Sequence, residues 1–138
     1  MKLFGYDDTL KNPVFITPWS LIHGYAGVIF YVAAKRFFPK LSLMQILIIN
    51  LILHSIYEIK DMLCYHEELF IKIYGKKPAE SYWGNNTFLN TIGDTIFSLV
   101  GSVLASMLFK KKATNELLAT MILTYSAFWL FFERQQYG

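Results

Sequence analysis

Residues 88–109 have the sequence FLNTIGDTIFSLVGSVLASMLF, in which Asp94 is the one charged side chain. A helix needs about 20 predominantly apolar residues to cross the hydrocarbon core of a bilayer, whereas a soluble amphipathic helix carries charges along its whole length. The run therefore predicts a membrane-spanning helix. Its small residues, which let a helix pack closely against a neighbour, are Ser98, Gly101, Ser102 and Ala105.

Three further apolar runs of similar length lie at residues 18–37, 41–59 and 114–132. Across the 138 residues, hydrophobic residues make up 54% and charged residues 17%, whereas about 25% of an ordinary soluble domain is charged. This composition excludes a disordered tail and a basic nucleic-acid-binding protein. A disulfide-stapled miniprotein is excluded as well, because Cys64 is the chain's one cysteine.

We therefore predict one domain, residues 1–138, with an all-α integral membrane fold: an antiparallel bundle of four transmembrane helices. Residues 62–87 form the one long connection, and its first half is amphipathic. That pattern predicts a short interfacial helix between the second and third spans, with an ordinary solvated loop helix as the alternative. For the whole chain, the alternative is a soluble helical bundle with an apolar core.

The two short loops between the runs are dense in basic residues. These residues are Lys35, Arg36, Lys40, Lys110, Lys111 and Lys112. Because short loops rich in Lys and Arg stay on the cytoplasmic side of a membrane, we predict these loops inside, with both termini and residues 62–87 outside. The expected partners are membrane lipids, together with a second copy of the chain or other membrane subunits, and no nucleic acid is expected.

Polar residues of the four runs are predicted to gather at one end of the bundle. In an antiparallel arrangement, the starts of the first and third helices lie beside the ends of the second and fourth. The residues at that end are His23, His54, Glu58, Asp61, Asn90, Asp94 and Glu133. Because a charge in hydrocarbon costs several kcal/mol, we expect these side chains to face the bundle interior and to pair with one another.

Imidazoles and carboxylates in such a cluster are a ligand set for a divalent metal, either Zn²⁺ or a harder ion such as Mg²⁺. The predicted metal ligands are His54, Glu58, Asp61, Asn90 and Asp94. The predicted catalytic residues are His23, Glu58 and Asp94, with one carboxylate acting as general base on a bound water. Such a site would serve a hydrolase or transferase that modifies a lipid-borne or envelope group.

Two other functions fit the same cluster. The polar residues can form a clamp that only fixes the packing of the helices, in a non-enzymatic structural or assembly protein. An ion or proton pathway is disfavoured, because the rest of each run has almost no polar residue apart from Gln45 and Asn50.

Three short motifs of the chain resemble those of an uncharacterised family of bacterial membrane proteins. They are Trp19-Ser20-x-x-His23-Gly24, Tyr57-Glu58 and Asn90-Thr91-x-x-Asp94-Thr95. A more distant similarity links the chain to VanZ-like membrane proteins. The resemblance implies a polytopic membrane fold and marks His23, Glu58, Asp61, Asn90 and Asp94 as site positions. The chain departs from the family at Asn86, where the family has Asp, and at Asp61, where it has Glu.

Overall fold

The apolar runs of the sequence become the long helices of the structure, a computed structural model that describes residues 1–6, 8–62, 67–75 and 86–137. Side chains are described for all of these residues except 60–62, 67, 70 and 133–137. The helices are α1 (Pro18–Phe37), α2 (Leu43–Met62), α3 (Glu67–Tyr74), α4 (Phe88–Leu108) and α5 (Asn115–Tyr137). The mostly helical chain confirms the predicted all-α class, and α3 lies where the sequence predicts a short helix.

Serine and threonine residues set where three of the long helices begin, because each hydroxyl accepts an N–H of the first turn. Thr87 caps α4 by accepting from the Asn90 amide at 3.3 Å, and Thr114 caps α5 by accepting from the Leu117 amide at 3.1 Å. Ser42 accepts from the Gln45 amide at 3.2 Å. As a result α2 begins at Leu43, two residues later than the apolar run at residue 41 predicts.

The sequence did not predict two short strands near the N-terminus, β1 (Lys2–Phe4) and β2 (Val14–Ile16). They pair in parallel, with Lys2 opposite Val14 and Phe4 opposite Ile16. Three residues are too few to display the alternating pattern that marks a strand, so the pairing leaves no signal in the sequence. Strand β2 packs against the start of α4 and belongs to the surroundings of the site.

Helix α4 occupies the centre of the bundle and packs against α1, α2 and β2, while α5 packs on α1. Ser20 contacts Asp94 and Gly27 lies against Ser98, so α1 and α4 run in the same direction. His54 contacts Thr95 from α2, whose end lies beside the start of α4. Helix α2 therefore runs opposite to α4, as an alternating bundle requires.

Glycine allows α1 and α4 to meet backbone against backbone. A Cβ atom on Gly27 would overlap the carbonyl oxygen of Ser98, and a Cβ atom on Gly101 would overlap that of Gly24. Small residues at a helix interface permit this approach in membrane proteins.

Many buried residues of the bundle are polar, whereas many large apolar residues lie on its outer surface. The polar residues with 5% exposure or less are Thr17, Ser20, Asn50, Glu58, Thr87, Asn90, Asp94, Ser98 and Ser102. Outward-facing apolar residues include Ile52 on α2, Val100 on α4 and Leu123 on α5. This distribution is the reverse of the one that the burial preferences of soluble proteins predict.

Two helices in the described part of the chain are long and apolar enough to cross a membrane, Phe88–Leu108 and Asn115–Phe132. The sequence predicts four. The described apolar part of α2, Leu43–Ile59, is shorter than a span, and α1 is less apolar because it contains His23 and ends with Lys35 and Arg36.

An apolar core closes the end of the bundle that lies away from the start of α4. Its buried residues are Tyr31, Val32, Ile46, Ala105, Ala113, Leu118 and Met121. The polar and apolar interiors are therefore stacked along the bundle rather than mixed.

Candidate metal centre

Two histidines and one glutamate converge where α1 and α2 meet. His23 Nδ1, His54 Nε2 and a Glu58 carboxylate oxygen are the potential ligand atoms, and atoms of this group lie within 4.8 Å of one another. His54 and Glu58 are four residues apart, so both project from the same face of α2. Glu58 is fully buried, and the side chains of His23 and His54 are 14% and 8% exposed.

The separations between these atoms match those of ligands around a tetrahedral metal ion. Bonds of about 2.0–2.1 Å to a tetrahedral Zn²⁺ place ligand atoms roughly 3.3 Å apart. Glu58 Oε1 lies 3.3 Å from His23 Nδ1 and 3.6 Å from His54 Nε2. The two histidine nitrogens are closer together, at 2.8 Å, and would separate by about half an ångström around an ion.

Thr95 fixes the orientation of the His54 ring. The Thr95 hydroxyl donates its one proton to the Thr91 carbonyl at 2.8 Å, so toward His54 Nδ1, at 3.2 Å, it can only accept. His54 is therefore protonated on Nδ1, and the lone pair on Nε2 faces His23 and Glu58. Metal-bound histidines are held by hydrogen bonds of this kind on their outer nitrogen.

Asp94 occupies the corresponding position beside His23. Its Oδ2 atom lies 3.5 Å from His23 Nε2, and its Oδ1 atom accepts a hydrogen bond of 2.5 Å from the Ser20 hydroxyl. The Ser20 oxygen also accepts from the Thr17 amide at 3.1 Å, which aims its proton at Asp94. A His23 ring protonated on Nε2, beside Asp94, would turn its Nδ1 lone pair toward His54 and Glu58.

Asn86 joins the two buried carboxylates. Its amide nitrogen donates to Glu58 Oε2 at 3.1 Å and to Asp94 Oδ2 at 3.2 Å. One side-chain amide has two protons, so each carboxylate receives one. Two carboxylates and two facing imidazole nitrogens in a buried site require positive charge, which a divalent cation or a shared proton supplies.

The structure places the predicted site residues in three groups. His23, predicted as catalytic, joins the predicted ligands His54 and Glu58 as a potential ligand. Asp94 lies beside His23, in contact with Ser20 and Asn86. Asn90 contacts β2, because its side-chain amide donates to the Phe15 carbonyl at 3.4 Å. The side chains of Asp61 and Glu133 lie outside the described residues.

Sequence reasoning did not assign a role to three residues that hold the site together, Ser20, Thr95 and Asn86, although the resemblance marks Asn86 as a departure from the family. Ser20 and Thr95 stand inside the quoted motifs, next to or near the predicted residues, and Asn86 precedes the threonine that caps α4. Their hydroxyl and amide groups are common in loops and helix caps, so residue type alone does not distinguish them.

A separate polar contact fixes the middle of the bundle. Asn50 donates to the Ser102 hydroxyl at 3.0 Å and accepts from the Ser98 hydroxyl at 3.2 Å. Ser102 in turn donates to the Gly27 carbonyl at 2.7 Å, which joins α1, α2 and α4. The bundle therefore has a helix clamp that is distinct from the histidine cluster.

Searches against family models, curated proteins and solved structures find no match to this chain. The resemblance of its motifs to the bacterial membrane family and to VanZ-like proteins therefore stays a prediction.

Proposed function

We propose that this chain is a four-span integral membrane protein that binds one divalent metal ion, with Zn²⁺ as the preferred ion, through His23, His54 and Glu58. In this proposal the ion activates a water molecule for hydrolysis or group transfer on a lipid-borne substrate. The observation that carries the proposal is the convergence of these three ligand atoms, within 4.8 Å of one another, at one buried point.

The distribution of polar and apolar residues supports the membrane part of the proposal. Only 11% of the α5 segment Asn115–Phe132 is buried, so this apolar helix is not the core helix of a soluble bundle. Ile52 and Leu123 are 53% and 71% exposed, whereas Asn50 and Ser102 are buried. Lipid tails are as apolar as these outer side chains, so a bilayer removes the cost of exposing them.

Second-sphere contacts support the metal part of the proposal. A histidine that only fills space does not need an acceptor beside one ring nitrogen, and it does not need the lone pair of the other nitrogen to face a carboxylate. Thr95 and Asp94 stand at the outer nitrogens of His54 and His23, at 3.2 and 3.5 Å, which directs both inner nitrogens to the same point. This is the arrangement that orients metal-ligating histidines.

Three protein ligands leave a fourth tetrahedral position for water, which is typical of catalytic rather than structural zinc sites. A zinc ion held by His23, His54 and Glu58 would lower the pKa of a bound water toward neutrality and so would supply a nucleophile. That chemistry would suit hydrolysis or group transfer at a carbonyl carbon or a phosphorus of the substrate. Asp94 orients His23 in this scheme, and Glu58 serves as a ligand.

For orientation in the membrane, we propose that the basic turns at Lys40 and at Lys110 to Lys112 face the cytoplasm. The metal site and the N-terminal segment then lie toward the opposite surface. A substrate carried by a lipid would reach the site near the boundary between lipid tails and headgroups.

Metal analysis of the detergent-purified full chain, prepared without chelators, tests this function. Elemental mass spectrometry should find about one zinc ion per chain. The His54→Ala variant should lose that zinc. The matched control is Asn50→Ala, which removes a buried polar contact on the same helix without touching the cluster. Zinc at or below the His54→Ala level in the unaltered chain would refute the metal site.

The second candidate function is a structural or assembly role, and the spacing of 2.8 Å between His23 Nδ1 and His54 Nε2 favours it. This spacing is that of an ordinary hydrogen bond. A His23 that donates from Nδ1 to His54 would then tie α1 to α2, with Asp94 of α4 beside its other nitrogen at 3.5 Å. In that case the chain binds no metal, and His23→Ala lowers its thermal stability.

A further inference from the structure

Among the described residues, Asp8 accepts hydrogen bonds from Val14 and from Thr87, which donates twice. The Thr87 amide donates to Asp8 Oδ2 at 2.6 Å, and the Thr87 hydroxyl donates to Asp8 Oδ1 at 2.8 Å. The third donor is the Val14 amide, at 2.8 Å. One carboxylate thus ties the N-terminal segment to the residue that caps α4.

The position of these bonds along the chain gives them a consequence for the metal centre. The Thr87 N–H that donates to Asp8 belongs to the peptide unit joining Asn86 to Thr87. Asp8 therefore fixes the plane of that unit. The backbone of Asn86 is therefore held on its C-terminal side by Asp8. Its side-chain amide reaches Glu58 and Asp94 from this fixed point, at 3.1 and 3.2 Å.

Asn86 in turn determines how the carboxylates face the histidines. By donating to Glu58 Oε2, it leaves Oε1 as the oxygen that lies 3.3 Å from His23 Nδ1. By donating to Asp94 Oδ2 as well, it holds two buried negative groups in a defined arrangement. A displaced Asn86 would let the two carboxylates rotate and would lose the converging geometry.

The N-terminal segment has anchors other than Asp8. The Phe15 carbonyl accepts from the Asn90 side chain at 3.4 Å, and it lies so close to Gly93 that a Cβ atom there would overlap it. Val14 is 1% exposed. Removing the Asp8 charge should therefore leave the segment docked on α4, and its effect should fall on the Asn86–Thr87 peptide.

We infer that Asp8 is a positioning residue of the metal centre, acting through the Asn86–Thr87 peptide on Glu58 and Asp94. The inference rests on the proposed function for its effect on metal binding. Outer-sphere partners of metal ligands typically contribute about 10- to 100-fold to affinity. We expect a loss in this range for Asp8→Asn, because its amide nitrogen replaces one of the two oxygens that accept from Thr87 and so faces a donor there.

The first test measures the zinc dissociation constant of the detergent-solubilised full chain by competition with a zinc-binding dye. Asp8→Asn should bind zinc about 10- to 100-fold more weakly, and Asp8→Glu, which keeps the charge but moves it by one methylene, should fall between. The matched control is Thr9→Ala, which removes only the 3.1 Å hydrogen bond from the Asn12 amide in the same segment. Equal affinities in Asp8→Asn and Thr9→Ala would overturn the inference.

A second readout needs no metal. Side-chain ¹⁵N NMR of the metal-free protein reports the protonation of His23 and His54, and Asp8→Asn should shift those signals while Thr9→Ala does not. If the unaltered chain binds no zinc and the shift is seen, the metal function fails and the positioning role stands. If zinc binds and neither the affinity nor the NMR signals respond to Asp8→Asn, the positioning role fails alone.

Discussion

The Nδ1 atom of His23 lies 2.8 Å from the Nε2 atom of His54, while the outer nitrogen of each ring faces an oxygen of α4. At this distance either one nitrogen donates its proton to the other, or both lone pairs face a cation. The pair therefore has two states, one joined by an N–H···N hydrogen bond and one that holds a cation. Glu58 is an oxygen ligand for the cation and an acceptor for the proton, which is why one cluster suits a metal centre and a helix clamp alike.

The Thr95 hydroxyl should control zinc affinity through His54. Thr95→Val keeps the shape of the side chain but removes the acceptor for Nδ1, so we expect about 10- to 100-fold weaker zinc binding. The control is Thr91→Val on the same helix, because the Thr91 hydroxyl is buried with no hydrogen-bond partner among the described residues. That variant should bind zinc normally and be equally or slightly more stable. Dye competition measures both, and equal losses would contradict the role of Thr95.

Neutralising Asp94 and neutralising Glu58 should weaken zinc binding to different extents. Asp94→Asn removes an orienting group and should weaken zinc binding by about 10- to 100-fold without abolishing it. Glu58→Gln removes a ligand and should cause the larger loss. Zinc titrations of the two variants compare them directly. A complete loss in Asp94→Asn alone would make Asp94, and not Glu58, the carboxylate ligand.

Gly27 should not tolerate a side chain. Gly27→Ala places a Cβ atom into the Ser98 carbonyl and should destabilise the protein by about 3 kcal/mol, since overpacking of this kind typically costs 1–3 kcal/mol or more. Gly24→Ala is the matched control, because its Cβ atom would lie 3.5 Å from the Phe97 carbonyl oxygen, an ordinary contact. Thermal unfolding in detergent should separate the two. Similar melting temperatures would show that α1 and α4 are not in backbone contact.

The proposed four-span fold predicts which ends of the bundle lie on the same side of the membrane. In a Cys64→Ser background, the variants Lys40→Cys and Lys111→Cys should react with an impermeant maleimide from one side of sealed vesicles, and Asn12→Cys should react from the other side. All three positions are exposed in the structure. If α4 and α5 alone crossed the membrane, Lys40 would instead react from the same side as Asn12.

The sequence predicted the long helices well because about 20 consecutive apolar residues have few other uses in a protein. It also predicted that His23, His54 and Glu58 meet, since alternating helices leave those positions at one end. The spacing of Asn90 and Asp94 places both on one face of α4 but does not indicate what packs against each of them. At Asn90 the neighbour is β2, whereas one turn later, at Asp94, it is α1.

The contacts that organise the site depend on distant parts of the chain and leave no local pattern. Asp8 and Thr87 are 79 residues apart in sequence, and Ser20 and Asp94 are 74 apart. Aspartate, serine and threonine occur in most loops and helix caps for local reasons, so their role here follows only from the folded arrangement.

Below the histidine cluster, polar contacts among the described residues continue through Asn50 and Ser102 and then give way to the buried layer formed by Tyr31, Ile46 and Ala105. In the proposed four-span topology, this layer would insulate the cluster from the compartment on the basic side. Protons and ions would equilibrate with the cluster from one compartment only. Its protonation and metal occupancy would then follow the pH and metal concentration of that compartment, and the protein would not dissipate the electrochemical gradient of the membrane in which it sits.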